Sequence, residues 1–248
     1  MPDKPLTGRI PVERIRRRAV PRPPAGVVEG LMAIEGVTNL VSDIMDEMFI
    51  GGVLPASLLR PTLAGKTIVG PALTIRNTRL RDEPFEVIRS RHTNRQADTE
   101  AHNLTSPGDI LVIQGHQDVS NIGGMSSMLG KRQGSLGAVV WGATRDVGHS
   151  RSIGFPIWAT AITPITGKWR METMEINGDV QFDTVMVACG DIVVADDSGV
   201  CFIPRDRAAE VLERVLAREK VERARMQMIE DGVPILEMPG PNIETGEE

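Results

Sequence analysis

Apolar residues along this chain fall in short runs separated by glycine and proline, and their period changes from one region to the next. Gly137-Ala-Val-Val-Trp141 is bounded by glycine and rich in valine, the pattern of a buried strand. Arg145-Asp146 follow where that strand should end, Val147 to Ile153 reads as a short helix or turn, and Phe155 to Ala159 as the next strand. Lys66 to Arg76 reads as a further strand, and its central Gly-Pro marks it as bent or at a sheet edge. Pro107 to Ile113 is a turn leading into a buried strand, which feeds the loop Gln114 to Gly124. After Gly123-Gly124, Met125 to Leu129 reads as the first turn of a helix.

Helical spacing is clearest in two places. Thr38 is a plausible cap for a helix with Leu40, Val41, Ile44, Met45 and Met48 on one face, and Gly51-Gly52 is expected to end it. From Asp206 to about Asp231 a long helix carries Ala208, Val211, Leu212 and Val215 on one face, with Glu210–Arg214 and Glu219–Arg223 spaced i,i+4. Residues 79 to 107 are polar and mixed, part helix and part loop, and their single charges are expected to face solvent. Thr163 to Pro204 is rich in short strands: Met171 to Ile176, Gln181 to Ala188, and Asp191 to Ile203 with a turn inside. Asn177-Gly178 is a hairpin signal. Asp196-Asp197-Ser198-Gly199 reads as a tight turn whose aspartates cap backbone rather than bind metal. Alternating βα units, then hairpin-like strands, then a terminal helix predict a mixed α/β domain.

Three regions follow. Residues 1–26 are basic and proline-rich and are expected to form an arm outside the main core. Residues 27–232 form the domain, and 233–248 a tail. At 248 residues the chain is long enough for one large core. A net charge of -5 weighs against a nucleic-acid partner, and 3% aromatic residues weigh against stacking on single strands. No apolar run approaches the roughly 18 residues of a membrane span, and the amino terminus has no apolar core of the secretory type. Cys189 and Cys201 fall in apolar segments and read as buried thiols, which fits a cytoplasmic protein.

The candidate chemistry sits at one sheet edge. A cation and an anion adjacent at a strand's carboxyl end occupy the place where α/β sheets bind ligands, although a surface ion pair would look the same in sequence. The glycine pair opening the next helix leaves backbone N–H groups suited to a carboxylate or phosphate. His92, His102, His116 and His149 stay unassigned, with His116 and His149 flanking the candidate site in sequence.

Several motifs occur together and in order: Val41-Ser-Asp-Ile-Met-Asp46, Gly70-Pro-Ala-Leu-Thr74, Pro107-Gly-Asp109, Gly142-Ala-Thr-Arg-Asp146, Gly154-Phe-Pro156, Thr163-Pro164 and Gly190 to Val200. Over residues 30 to 232 the chain thereby resembles RraA-like proteins, which include the class II 4-hydroxy-4-methyl-2-oxoglutarate aldolases. The resemblance implies a compact α/β/α domain, like the swivelling phosphohistidine domain, assembled as a homotrimer or homohexamer with sites between subunits. It implies that Arg145 binds the carboxylate of pyruvate and that Asp146 holds Mg2+ or Mn2+. It implies that the loop Gly123-Gly124-Met125-Ser126 offers amides to the pyruvyl group. The reaction it implies is a lyase reaction on a 2-oxo acid, retro-aldol cleavage or decarboxylation, yielding pyruvate. The family also includes a non-catalytic regulator that binds a ribonuclease, which is the alternative reading.

The chain departs from the aldolase pattern at one position. That pattern has an acidic residue, twenty intervening residues, then Arg-Asp, and here the acidic position is Gly124. Asp118, in the same loop, is a candidate replacement. The segment Arg91-His-Thr-Asn94 is likewise not typical of the aldolases.

Overall fold

The computed structural model describes residues 4–90 and 95–239. Arg91-His-Thr-Asn94, and with it His92, lies outside the described residues, as do residues 240–248 of the tail. The helices are α1 (Val27–Met32), α2 (Val37–Glu47), α3 (Pro84–Arg89), α4 (Asp98–Leu104), α5 (Gly124–Arg132), α6 (Val147–Ser152) and α7 (Ala208–Glu230). The strands are β1 (Val53–Pro55), β2 (Arg60–Pro61), β3 (Ile68–Arg79), β4 (Ile110–Gln114), β5 (Ser120–Ile122), β6 (Gly137–Thr144), β7 (Ile157–Ile162), β8 (Met171–Ile176), β9 (Val180–Phe182), β10 (Val185–Val187), β11 (Ile192–Ala195) and β12 (Gly199–Ile203).

One sheet runs β1-β12-β11-β3-β4-β6-β7-β2, with β5 added to the end of β6 and β8 to the end of β3. Its β3-β4-β6-β7 part is parallel, whereas β11, β12 and β1 are antiparallel. Successive side chains in a strand point to opposite faces. Leu73, Ile75, Leu111, Ile113, Ala138 and Val140 therefore pack under α4, and Ile68, Ala72, Ile110, Val112 and Val139 join Trp158, Phe182 and Phe202 on the other face. A third cluster joins α1, α2 and α7 to β11 and β12 through Val41, Ile44, Met45, Val194, Cys201 and Val211. The result is the expected mixed α/β domain with a long C-terminal helix.

Several local expectations are corrected. The strand around Gly70-Pro71 is central, not an edge. Residues 68–71 pair with β11 and residues 72–76 with β4, so Pro71 falls just before the β4 ladder begins, where no ladder N–H is needed. Gly70 is required there because a Cβ would run into the Gly108 carbonyl. Helix α2 starts at a left-handed Gly36 rather than at Thr38, and Phe49, with φ of 55°, turns the chain out of it before Gly51. Asn177 does take a left-handed turn, but the strands on either side of it pair elsewhere, β8 with β3 and β9 with β10. Glu100 and His102 are buried rather than solvent-facing.

The N-terminal segment also departs from expectation. Ile10 and Val20 are buried beside Leu73 and Leu111, so the segment contributes to the core. Charged contacts hold it down: Arg14 Nη1 donates to the Thr173 carbonyl at 2.9 Å, and Arg22 Nη1 lies 2.5 Å from Asp109 Oδ1. As expected, the aspartate turn after β11 is structural. Asp196 accepts the Thr38 hydroxyl at 2.6 Å and the Ser198 N–H at 2.8 Å, and Asp197 accepts the Gly65 N–H. Both cysteines are buried, which pushes their thiols up to about 12. Among the described residues no helix is long and apolar enough to cross a membrane.

Candidate active site

The cleft is built where β5 and β6 end together. Arg145 N–H and Thr144 Oγ1 both donate to the Ile122 carbonyl, at 3.2 and 3.1 Å, which ties the end of β6 to the strand entering the glycine pair. This junction brings Gly123, Gly124, Met125, Ser126, Arg145 and Asp146 onto one surface, although they lie up to 23 positions apart.

Helix α5 has no side-chain cap of its own, because its N-cap residue is Gly123. Asp146 supplies the cap from across the cleft, its Oδ2 accepting the Gly124 N–H at 2.9 Å. Asp146 itself is left-handed, with φ of 55°, a conformation that aspartate tolerates better than bulkier residues. The approach to both glycines is close. A Cβ at Gly123 would stand 3.0 Å from Asp146 Oδ2 and Arg145 Nε, and one at Gly124 3.1 Å from His149 Cδ2 and 3.3 Å from Asp146 Cβ. Met125 and Ser126 follow in the first turn, where the helix itself supplies no acceptor for the backbone N–H groups. Arg145 Nε lies 3.5 Å from Asp146 Oδ2, and the two side chains are 29% and 48% exposed, so both are open to a ligand.

Gln96, Asp98 and Lys168 complete the walls. Gln96 donates to the Asn121 carbonyl at 2.7 Å, which fixes that wall to the loop before Gly123. Among the described residues the cleft thus holds two cationic side chains, Arg145 and Lys168, and two carboxylates, Asp98 and Asp146. Sequence reasoning missed Asp98 and Lys168, since a lone charge in a polar loop carries no local signal. It also left His102 unassigned, and this residue lies beneath the site with Nε2 2.7 Å from Ser126 Oγ.

Other candidates lie elsewhere. Asp118 does not line the cleft: it pairs with Arg79, whose hydrogen bond holds its carboxyl below the usual range, so it does not replace the acidic residue missing at Gly124. His116 lies by that pair, and burial, with Arg79 nearby, lowers its pKa. His149 sits on the outer side of Asp146 with the exposed Met125 and Met128. Among the described residues no three His, Cys, Asp or Glu side chains cluster to enclose a metal. What the cleft offers is carboxylate oxygen, chiefly the half-exposed Asp146. That donor set fits a hard cation such as Mg2+, which keeps several waters and takes one or two protein carboxylates plus ligand oxygens.

Comparison with known proteins agrees with this architecture. Residues 38–202 match the RraA-like family described as Aldolase/RraA. A Halalkalibacterium halodurans protein provisionally named 4-hydroxy-4-methyl-2-oxoglutarate aldolase is 28% identical over 203 residues, covering 81% of this chain and 83% of that protein. Legionella pneumophila protein DlpA is 31% identical over 185 residues, 71% of this chain, and the chain spans only 28% of DlpA's length. Among solved structures, Streptomyces coelicolor RraAS2, an unusual member of the RNase ES inhibitor RraA protein family, superposes with a TM-score of 0.67 at 25% identity, covering 82% of this chain and 96% of that one. An uncharacterized Pseudomonas syringae protein shares the fold at a TM-score of 0.73 and 22% identity, covering 87% and 93%. The match over most of the domain, glycine-led loop and Arg-Asp pair included, makes this chain a member of the RraA-like family.

Proposed function

We propose that this protein is a divalent-metal-dependent carbon–carbon lyase that cleaves a 2-oxo acid, by retro-aldol reaction or decarboxylation, and releases pyruvate. The observation that carries the reading is the convergence of Arg145, Asp146 and the N-terminus of α5 on one cleft. Breaking a C–C bond beside a 2-oxo group leaves an enolate, which water stabilises poorly. In this reading Arg145 grips the substrate carboxylate as a planar fork. The amides of Met125 and Ser126 are preorganised donors for the developing oxyanion. Asp146 would hold Mg2+ or Mn2+, and a cation bound there supplies Lewis-acid stabilisation of the negative charge. Lys168 would receive a second anionic group at the far wall. A homo-oligomer, trimer or hexamer, belongs to the same reading, with the exposed Met125 and Met128 beside Asp146 at a subunit edge.

The ribonuclease-binding regulator remains the second reading because of one observation, the glycine at position 124. Isothermal titration of Mg2+ and pyruvate separates the two. The lyase reading expects the wild type to take up both, Arg145→Ala to lose pyruvate and Asp146→Ala to lose Mg2+. Uptake of neither by folded wild-type protein would leave the binder.

A further inference from the structure

Beneath the cleft, His102 of α4 meets Ser126 of α5, with Nε2 and Oγ 2.7 Å apart. The imidazole is 2% exposed and Ser126 7%. The ring fits because residue 130 is glycine, where a Cβ would stand 3.3 Å from both His102 Cε1 and Phe155 Cζ. His102 Nδ1 is buried without a hydrogen-bond partner among the described residues.

The orphaned nitrogen decides which way the protons point. A neutral imidazole carries its proton on one nitrogen and leaves the other as an acceptor. A proton on Nδ1 would create a buried N–H with no acceptor, and orphaned buried N–H groups are rarer than under-satisfied acceptors. With the proton on Nε2, the ring donates to Ser126 Oγ and the hydroxyl proton is free for another partner. Among the described residues, backbone does not claim it. Ser127 bonds back to the carbonyl four residues earlier, Gly123 O, at 3.0 Å. The equivalent carbonyl for Ser126, Ile122 O, already accepts from Ser120 Oγ, Thr144 Oγ1 and the Arg145 N–H. Ser126 lines the cleft, on the same wall as the α5 amides.

We infer that His102 is a positioning residue that fixes the Ser126 hydroxyl as a hydrogen-bond donor to an anionic oxygen bound in the cleft. The anionic ligand rests on the lyase reading above; the proton arrangement does not. Burial lowers the pKa of His102, with Asp98 acting more weakly in the opposite direction, and this keeps the ring neutral as the arrangement requires.

Two measurements on the full chain test it. Long-range 1H–15N NMR of the imidazoles, without ligand, is expected to find His102 protonated on Nε2 alone. Protonation on Nδ1, or on both nitrogens, at neutral pH overturns the inference. Oxalate, a planar mimic of the pyruvate enolate, then probes the cleft. Ser126→Ala and His102→Leu are each expected to weaken oxalate binding about tenfold, roughly the worth of one hydrogen bond to an ion. His102→Gln, whose amide nitrogen can replace Nε2–H, should restore most of the affinity. The double variant Ser126→Ala/His102→Leu should bind no worse than Ser126→Ala, because His102 acts through the serine. Additive losses, or full affinity in a folded His102→Leu protein, overturn the inference while leaving the lyase reading standing. A wild type that binds no oxalate, yet shows the Nε2 tautomer, overturns its ligand half together with that reading.

Discussion

Arg145 and Asp146 are neighbours given opposite tasks, one to hold an anion and the other a cation. Their own ion pair, at 3.5 Å and partly exposed, is worth little and does not keep ligands out. Arg145→Lys keeps the charge but loses the planar fork, so pyruvate affinity should fall at least about tenfold with the melting temperature unchanged. Retained affinity, read by calorimetry, would show that charge alone suffices. Gly124→Asp tests the departure from the aldolase pattern. The new carboxylate would lie against Asp146, with the exposed His149 side chain shifting to make room, and Mg2+ affinity should rise on the order of tenfold. At this scale the Arg-Asp pair was legible because it follows, after Gly142-Ala-Thr, an apolar run that reads as a strand. His102 was not, since its partner comes from another helix 24 positions away. Asp118 misled because closeness in sequence to Gly124 says nothing of direction, and the chain turns its side chain to Arg79.

Among the elements, the N-terminal segment has the most consequence. Its Arg22 faces Asp109, whose carboxylate is fully buried where β4 begins, and burial raises that carboxyl's pKa. Removing one partner of a buried pair leaves an uncompensated charge. Arg22 is itself 44% exposed, so Arg22→Ala should cost about 1–3 kcal/mol, the penalty of leaving one buried polar group unpaired. Adding Asp109→Asn should recover part of that loss in denaturant titrations. No recovery would mean that Arg22 acts through packing instead. Strands β4, β6 and β11 could be read from sequence because each is built on an unbroken apolar run, and α7 because Ala208, Val211 and Val215 fall on one face at its start. The N-terminal segment could not, because Ile10 and Val20 are single apolar residues among charges and prolines, without a period to mark them as core. The Gly-Pro in β3 was misread because its tolerance depends on where the neighbouring ladder starts, a tertiary fact.

For the whole molecule, the buried His102 and the half-buried His116 set the response to acid. Burial depresses the folded-state pKa of His102 and His116 below the ordinary 6.5. The stability linked to these neutral rings is therefore present above about pH 6.5 and is lost as pH falls through their folded values. Asp118, lowered by Arg79, and Glu175, which burial raises but Arg16 and Arg76 together lower further, add a later loss in the carboxylate range. Asp109 and Asp191, raised by burial, work the other way. Urea unfolding should thus show lower stability at pH 5.5 than at pH 7.5, with a shallower slope in His102→Leu; an unchanged slope in folded His102→Leu would contradict the neutral buried ring. The mixed α/β order of elements was visible in sequence at this scale, whereas the walls of the cleft, drawn from loops far apart, were not. The central claim concerns the chemistry of that cleft. Its most direct test is pyruvate release from 4-hydroxy-4-methyl-2-oxoglutarate and from oxaloacetate, with Mg2+ and with a chelator. The lyase reading predicts release that the chelator abolishes and that Asp146→Ala lacks; no release from either substrate by folded protein with Mg2+ would contradict it.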